Sequence, residues 1–193
     1  MRKPILAAAV IFASIFFFGT TAEAQSPKSI TKPDFSGTWL LDTKKSNTGA
    51  LTTRPDLPIT ISHQDPEFKM VTSSEASGQI KKHEFIYFTD GRGETNEATS
   101  IITSIPSSFK PEDLRNKTTE SKTKWSGNKI VTRSRYRLNV PGGSFVEFEQ
   151  VDEWKLSDDG KILTQTSRVN LQSSNTAFFP SNAPDKKRVF IRQ

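Results

Sequence analysis

Residues 118–156 read TTESKTKWSGNKIVTRSRYRLNVPGGSFVEFEQVDEWKL and set the architecture of the chain. Polar and apolar side chains alternate along this stretch, and the alternation breaks at Gly127-Asn128 and at Pro141-Gly142-Gly143. A period of two is typical of β-strands with one buried face, and both breaks are turn sequences of β-hairpins. The stretch therefore predicts three consecutive antiparallel strands. Their predicted bounds are 118–126, 129–139 and 145–156.

The two turns can be tested against each other through the strand register that each implies. A two-residue turn at 127–128 and a three-residue loop at 141–143 assign the same side chains to the same face. One face is mainly apolar, and the other carries arginine and glutamate. A register slip of one residue would move every side chain to the opposite face. We therefore predict a single register, with the apolar face inward. The predicted inward pairs are Trp125–Ile130, Thr123–Thr132, Ser121–Ser134, Leu138–Val146, Tyr136–Phe148, Ser134–Gln150, Thr132–Asp152 and Ile130–Trp154. The predicted outward pairs are Lys124–Val131, Lys122–Arg133, Arg137–Glu147 and Arg135–Glu149.

The predicted inward face is apolar at its two ends and polar in its middle. The polar residues, which we call the polar belt, are Ser121, Thr132, Ser134, Gln150 and Asp152. Each buried polar group without a partner costs about 1–3 kcal/mol, and an ionised carboxylate costs more. Either the belt is satisfied internally, by Arg168 or by water, or it lines a solvated cavity that holds a ligand.

We favour the cavity for the belt as a whole, because the larger β-barrels commonly enclose one. The ligand expected there is a small amphipathic or hydrophobic molecule. The residues predicted to bind it are Thr132, Ser134, Tyr136, Phe148, Gln150 and Asp152.

The rest of the chain from Asp34 onward shows the same short alternating segments separated by Gly, Asn, Asp and Pro. This pattern favours an all-β fold, either a sandwich or, as we predict, an antiparallel up-and-down β-barrel of about 8–10 strands. One short helix is expected at 108–115, where a serine and two acidic residues suit a helix start. The further predicted strands are 35–41, 58–63, 67–74, 79–88, 95–103, 162–171 and 187–192.

The N-terminus has the pattern of a secretory signal. Arg2 and Lys3 precede an apolar run from Ile5 to Phe18, and Ala22-Glu23-Ala24 is a small-x-small cleavage pattern. The run is shorter than the about 18 residues that a spanning helix needs. We expect cleavage after Ala24, a flexible lead-in at 25–33, one domain at 34–193, and a periplasmic or secreted protein without a later transmembrane segment. Cleavage of 24 of the 193 residues would leave 169 and change the net charge from +6 to +5.

Composition and motifs exclude several kinds of chemistry. The chain has no cysteine, which rules out disulfides, thiolate metal sites and a cysteine nucleophile. It has two histidines, His63 and His83, and no phosphate loop, metalloprotease motif, calcium loop or serine nucleophile elbow. We therefore predict no catalytic residue, metal or cofactor. The enzymatic alternative is an acid–base site that combines Asp152 with one of the two histidines.

The positive charge points weakly to anionic partners. Two of the three outward arginines of 129–139, Arg135 and Arg137, face glutamates (Glu120, Glu147 and Glu149), which makes much of that surface a ladder of cross-strand pairs. Lys81-Lys82 and Lys186-Lys187-Arg188 stay unpaired by this argument, so anionic envelope components are possible partners of a chain that we expect to be monomeric. No aromatic-basic stacking motif supports nucleic-acid binding. A third hypothesis is an envelope interaction protein without a cavity, which would use Phe178-Phe179.

The segment Phe35-Ser36-Gly37-Thr38-Trp39 resembles the Gly-x-Trp signature of the calycins, the lipocalins and their relatives. The resemblance implies a ligand-binding barrel whose base is closed by Trp39 and a basic residue near the last strand. Arg188 is our first candidate for that residue and Arg192 the second, because a cation over an indole ring contributes about 0.5–2 kcal/mol. The segments 125–130 and 154–164 also resemble small exported bacterial lipocalin-like proteins of unassigned function.

Overall fold

The protein is all-β, with ten strands. The computed structural model describes residues 32–47, 56–76, 78–98, 116–139, 145–171 and 185–193, together with Leu114 and Gly143. The strands are β1 (Gly37–Leu41), β2 (Ile59–Gln64), β3 (Glu67–Ala76), β4 (Gln79–Phe88), β5 (Glu94–Glu97), β6 (Thr118–Ser126), β7 (Lys129–Asn139), β8 (Phe145–Leu156), β9 (Ile162–Leu171) and β10 (Lys186–Arg192). All ten predicted strands are present, and five of them, β4 and β6–β9, have the predicted bounds.

Three sequence predictions fall on residues that lie wholly or mainly outside the described ones: the signal segment 1–24, the lead-in before Lys32 and the Phe178-Phe179 pair. The predicted strand 95–103 is described only up to Ala98. Of the helix expected at 108–115, only Leu114 is described, and it forms an isolated antiparallel bridge with Leu138.

The strands form an antiparallel up-and-down barrel. Neighbours in the sheet are neighbours in sequence, in the order β4-β3-β2-β1-β10-β9-β8-β7-β6-β5. The first and last strands also pair, with Trp39 opposite Arg192. The sheet therefore curls into a nearly closed barrel in which β4 and β5 are the two edge strands.

The predicted register of β6, β7 and β8 is confirmed at every pair stated above. Trp125 lies opposite Ile130 across the first turn, and Leu138 lies opposite Val146 across the second. The apolar face points inward as expected, so the predicted polar belt lies on the inner surface of the barrel wall.

Two apolar clusters fill the ends of the barrel. The larger one includes Phe35, Trp39, Phe68, Trp154 and Phe190. The smaller one consists of Ala98, Tyr136, Leu138, Val146 and Phe148, with Leu114 and Val169 packed against it. Burial of each large apolar side chain contributes about 1.5–3 kcal/mol, and the polar belt separates the two clusters.

Side chains close the junction between the edge strands, which we call the β4–β5 seam. No backbone ladder joins the two strands in the residues that the structure describes. Instead, the Asn96 side chain accepts a hydrogen bond from the Ile86 N–H and donates one to the Ile86 carbonyl, both at 2.9 Å. Glu94 Oε2 accepts from the Phe88 N–H at 3.2 Å, and the His83 ring is 3.0 Å from Glu97. The Asn96 amide here takes the place of a backbone hydrogen-bonding partner for Ile86.

Arg192, and not Arg188, packs across Trp39, so our first candidate was wrong and the second was right. The Arg192 guanidinium lies 4.4 Å from the centre of the Trp39 ring. It donates to the carbonyls of Ser36 at 2.7 Å and Gly160 at 2.8 Å. Both arginines lie on the inward face of β10, so the alternation of side chains does not distinguish them. The pairing of β10 with β1 does, because it sets Arg192 opposite Trp39.

Asp65 ties three parts of the barrel base together. Its carboxylate accepts hydrogen bonds from Lys32 Nζ at 2.7 Å, Thr89 Oγ1 at 2.5 Å and Trp125 Nε1 at 2.8 Å. These bonds, led by that from Lys32, hold the pKa of Asp65 well below its usual range. The β2–β3 turn is thereby joined to the β4–β5 turn and to β6.

Candidate functional site

The structure brings the six predicted ligand-binding residues together inside the barrel. All are inward and at most 3% exposed. Thr132, Ser134, Gln150 and Asp152 belong to the polar belt, whereas Tyr136 and Phe148 stack on each other with ring centres 5.2 Å apart. The first four therefore offer polar atoms to the interior, and the stacked pair forms part of the apolar cluster beside them.

Asp152 is the centre of the belt. Gln150 Nε2 donates to its carboxylate at 2.7 Å, Gln165 Nε2 donates at 3.1 Å, and the Ser167 hydroxyl donates as well. Burial raises the pKa of Asp152, against the opposing effect of these bonds and of the positive charge of Arg188. A carboxylate that is buried and hydrogen-bonded on both oxygens is held in one orientation.

Arg188 faces the same region from β10. Burial lowers the pKa of Arg188, and the neighbouring Asp152 and Tyr87 oppose that shift. Between these side chains lies a cavity of about 30 Å³, whose lining also includes Thr132 and Gln165. This volume suits a water molecule or a single polar group of a ligand.

A second hydrogen-bonded group surrounds Glu94 where β5 meets β6. Ser121 Oγ donates to Glu94 Oε1 at 2.8 Å and Thr123 Oγ1 donates at 2.7 Å. The hydroxyls of Thr123 and Thr132 lie 2.9 Å apart, which connects this group to the belt. The polar interior therefore continues from the seam to β9.

Four buried polar atoms in the barrel interior have no hydrogen bond of ordinary geometry. They are Ser134 Oγ, Tyr136 OH, Gln165 Oε1 and Arg188 Nε. Of the five belt residues, only Ser134 has such an atom, because Gln150 bonds to Asp152, Ser121 to Glu94 and Thr132 to Thr123. Arg168, which was expected to help, points outward instead, where it contacts Glu153 at 2.8 Å.

The two histidines lie away from Asp152. His83 on β4 contacts Ser74 at 2.8 Å and Glu97 at 3.0 Å through its two ring nitrogens. His63 packs at the base against Phe35 and Trp125, and burial lowers its pKa. The geometry required by the acid–base alternative is therefore not present. Among the described residues, no group of three or more His, Asp or Glu could hold a metal ion.

Sequence reasoning missed part of the polar interior. The missed residues are Glu94, Gln165 and Ser167, and Arg188 was expected at the barrel base instead. A signal existed for two of them, because the turn at 157–161 sets Gln165 opposite Trp154 and Ser167 opposite Asp152. Glu94 had no such signal, since β5 is short and pairs along only four residues.

Comparisons with known proteins do not assign this chain to a family. No protein-family model matches the chain, and no curated protein matches its sequence. Within the described residues, no helix is long and apolar enough to cross a membrane. The functional argument therefore rests on the barrel interior and its surface.

Proposed function

We propose that this is an exported protein that binds a small amphipathic molecule inside its β-barrel. The observation that carries the proposal is the set of four buried polar atoms in the barrel interior without a hydrogen bond of ordinary geometry, two of which, Gln165 Oε1 and Arg188 Nε, belong to residues that line the central cavity. A buried polar atom without a partner costs about 1–3 kcal/mol. A ligand that supplies the missing hydrogen bonds would recover this free energy on binding.

The chemistry of these atoms limits the polar part of the ligand. Gln165 Oε1 can only accept a hydrogen bond and Arg188 Nε can only donate one, whereas the Ser134 and Tyr136 hydroxyls can do either. The matching group therefore carries a donor and an acceptor close together, as in an amide, a carboxylic acid or a pair of hydroxyls. A group with acceptors alone would leave Gln165 unsatisfied.

The apolar part of the ligand belongs at the Tyr136 end of the barrel. Tyr136 and Phe148 border the belt, with Leu138 and Val146 beyond them. Since ligand pockets usually measure about 300–1,000 Å³, a cavity of about 30 Å³ accommodates the polar group alone. Binding then requires these apolar side chains to move apart, and we expect the ligand to take their place against the wall.

Export belongs to the same proposal and is supported by the sequence of residues 1–24. The intact mass of the protein secreted by its source cells should correspond to a chain that begins at Gln25. A mass that includes residues 1–24 would contradict cleavage after Ala24.

Native mass spectrometry of the protein purified from that compartment should detect a bound small molecule. After delipidation, the lipophilic dye ANS should bind the barrel and be displaced by the extracted molecule. Ser134→Ala should weaken ligand binding about threefold to tenfold with little loss of stability, because the Ser134 hydroxyl makes no hydrogen bond of ordinary geometry within the protein. Thr95→Ala, on the exposed face of β5, is the matched control. Absence of a bound molecule and of dye uptake would refute the proposal.

A further inference from the structure

A second concave site lies on the outside of the barrel. The outer surfaces of β6, β7, β8 and β9 form a groove of about 560 Å³. The residues that matter for its chemistry are Lys122, Lys124, Val131, Arg133, Val151 and Arg168. The barrel wall separates this groove from the polar belt, so it is independent of the proposed interior site.

Three cations of the groove lie in one row across the strands. Lys122 on β6 is opposite Arg133 on β7, Arg133 is opposite Val151 on β8, and Val151 is opposite Arg168 on β9. Neighbouring strands are about 4.8 Å apart. Lys122 and Arg133 are therefore adjacent, and Arg168 follows two strand spacings further along the row.

The row contains a direct opposition of like charges. Like charges directly opposite each other destabilise a sheet. In the described part of the chain, neither Lys122 nor Lys124 has a carboxylate within ion-pair distance, so no ion pair offsets the repulsion between Lys122 and Arg133. Arg133 contacts Glu149 at 3.0 Å, and Arg168 contacts Glu153 at 2.8 Å. The outward ladder that we predicted is therefore paired at Arg133 and at Arg137, which contacts Glu147 at 3.7 Å, but not at its lysines.

The groove carries an excess of positive charge that comes from Lys122 and Lys124. Four cations line it against one carboxylate, Glu153, which also contacts Lys129 at 3.0 Å. Two carboxylates outside the lining, Glu149 and Asp185, contact Arg133 at 3.0 Å and Arg168 at 3.6 Å. Its floor is apolar, because Val131 and Val151 lie between the cations and Val151 is only 4% exposed. An apolar floor lowers the local dielectric and strengthens the attraction of an anion to the surrounding cations.

We propose that this groove binds a small molecule that carries two phosphomonoester groups. Each such group carries about −1.5 to −2 charges at pH 7, so one of them matches the two lysines that lack a carboxylate partner among the described residues, and the second would compete with Glu153 and Asp185 for Arg168. One phosphate would lie between Lys122 and Arg133, and the other would reach Arg168. The concave shape favours a discrete ligand of this kind over a flat membrane surface, which requires protruding cations.

Titration calorimetry on the mature chain, with fructose bisphosphate as the probe and fructose monophosphate for comparison, tests the proposal. The bisphosphate should bind at least about tenfold more tightly, since it makes additional charge-assisted hydrogen bonds. Lys122→Gln should weaken bisphosphate binding about tenfold and, by removing the like-charge opposition, leave the melting temperature unchanged or raised. Lys187→Gln removes an exposed lysine outside the groove and is the matched control.

Three results would overturn the proposal. Equal affinity for the two sugars would show that the groove does not recognise two phosphates. Equal losses in Lys122→Gln and Lys187→Gln would indicate unspecific attraction by the net charge. Binding to phosphatidylglycerol vesicles without binding of the bisphosphate would make a membrane the partner. A bisphosphate complex that still takes up ANS would support two separate sites, whatever the interior ligand is.

Discussion

A glycine makes the closure of the barrel base possible. Gly37 has a φ of +141°, a conformation that side-chain-bearing residues rarely adopt. A Cβ atom at this position would lie 3.0 Å from Arg192 Nη1. The missing side chain therefore leaves the space in which the Arg192 guanidinium packs on Trp39, two residues along the same strand.

Gly37→Ala is expected to destabilise the protein for two reasons. The backbone strain costs about 1–3 kcal/mol, and the new methyl group displaces Arg192 from the Ser36 carbonyl. Chemical denaturation measures the total loss. Gly78→Ala is the control, because Gly78 also has a positive φ, of +76°, but no atom within 4 Å of its would-be Cβ. Equal losses in the two variants would mean that the contact with Arg192 contributes nothing.

Asp152 should give the protein a distinctive pH dependence. Its pKa is raised by burial, so its contribution to stability is fully present below pH 4 and is lost as the pH rises through the folded-state pKa. Asp152→Asn removes the ionisable group and with it this loss of stability at higher pH. The stability of the variant relative to the native protein should therefore increase from pH 4 upward, by about 1.4 kcal/mol per unit of raised pKa.

Urea unfolding of both proteins at several pH values measures this difference. Asp158→Asn, at an exposed turn, is the control for the removal of a surface carboxylate. A difference between Asp152→Asn and the native protein that stays constant from pH 3 to pH 8 would show that burial does not raise the Asp152 pKa.

Among the elements, the β4–β5 seam depends most on single side chains. Asn96→Leu keeps a similar volume but removes both bonds to Ile86 and leaves its N–H without a partner. The expected loss is about 1–3 kcal/mol, together with faster hydrogen exchange of the Ile86 amide. Thr95→Ala, next to it and exposed, should change neither quantity. Slow exchange at Ile86 in Asn96→Leu would show that another group holds the seam.

The elements also show how far sequence reasoning reaches. It predicted β6–β9 to the residue, because turns at both ends fix strands whose two faces differ sharply in polarity. It chose Arg188 over Arg192 wrongly, because both share a face of β10 and only pairing with β1, at the opposite end of the chain, distinguishes them. It missed Glu94, because a four-residue strand held by side chains has little periodicity. Local pattern therefore predicts the walls of the barrel, side-chain contacts between β4 and β5 determine its seam, and contacts distant in sequence determine its base and interior.

At the scale of the whole molecule, Arg192 and Gln193 help to close the barrel. Arg192 binds the Ser36 and Gly160 carbonyls, and the Gln193 N–H donates to the Thr38 carbonyl at 2.9 Å. Deletion of the last two residues should lower stability by about 3–6 kcal/mol, since two charge-assisted bonds are lost. Deletion of Gln193 alone should cost about 1 kcal/mol. Thermal unfolding measures both changes, and equal melting temperatures would contradict a closing role for Arg192.

The pairing of the first strand with the last has a consequence for chain connectivity. Because Gln193 lies against Thr38, a short linker could join the C-terminus to Asp34, and the chain could be reopened in the turn between β4 and β5. In such a circular permutant, β5 would become the first strand and β4 the last. The seam would then coincide with the new ends of the chain. Folding of this permutant with the native register would mean that the covalent link between β4 and β5 is dispensable and that the barrel is defined by its nine hydrogen-bonded interfaces.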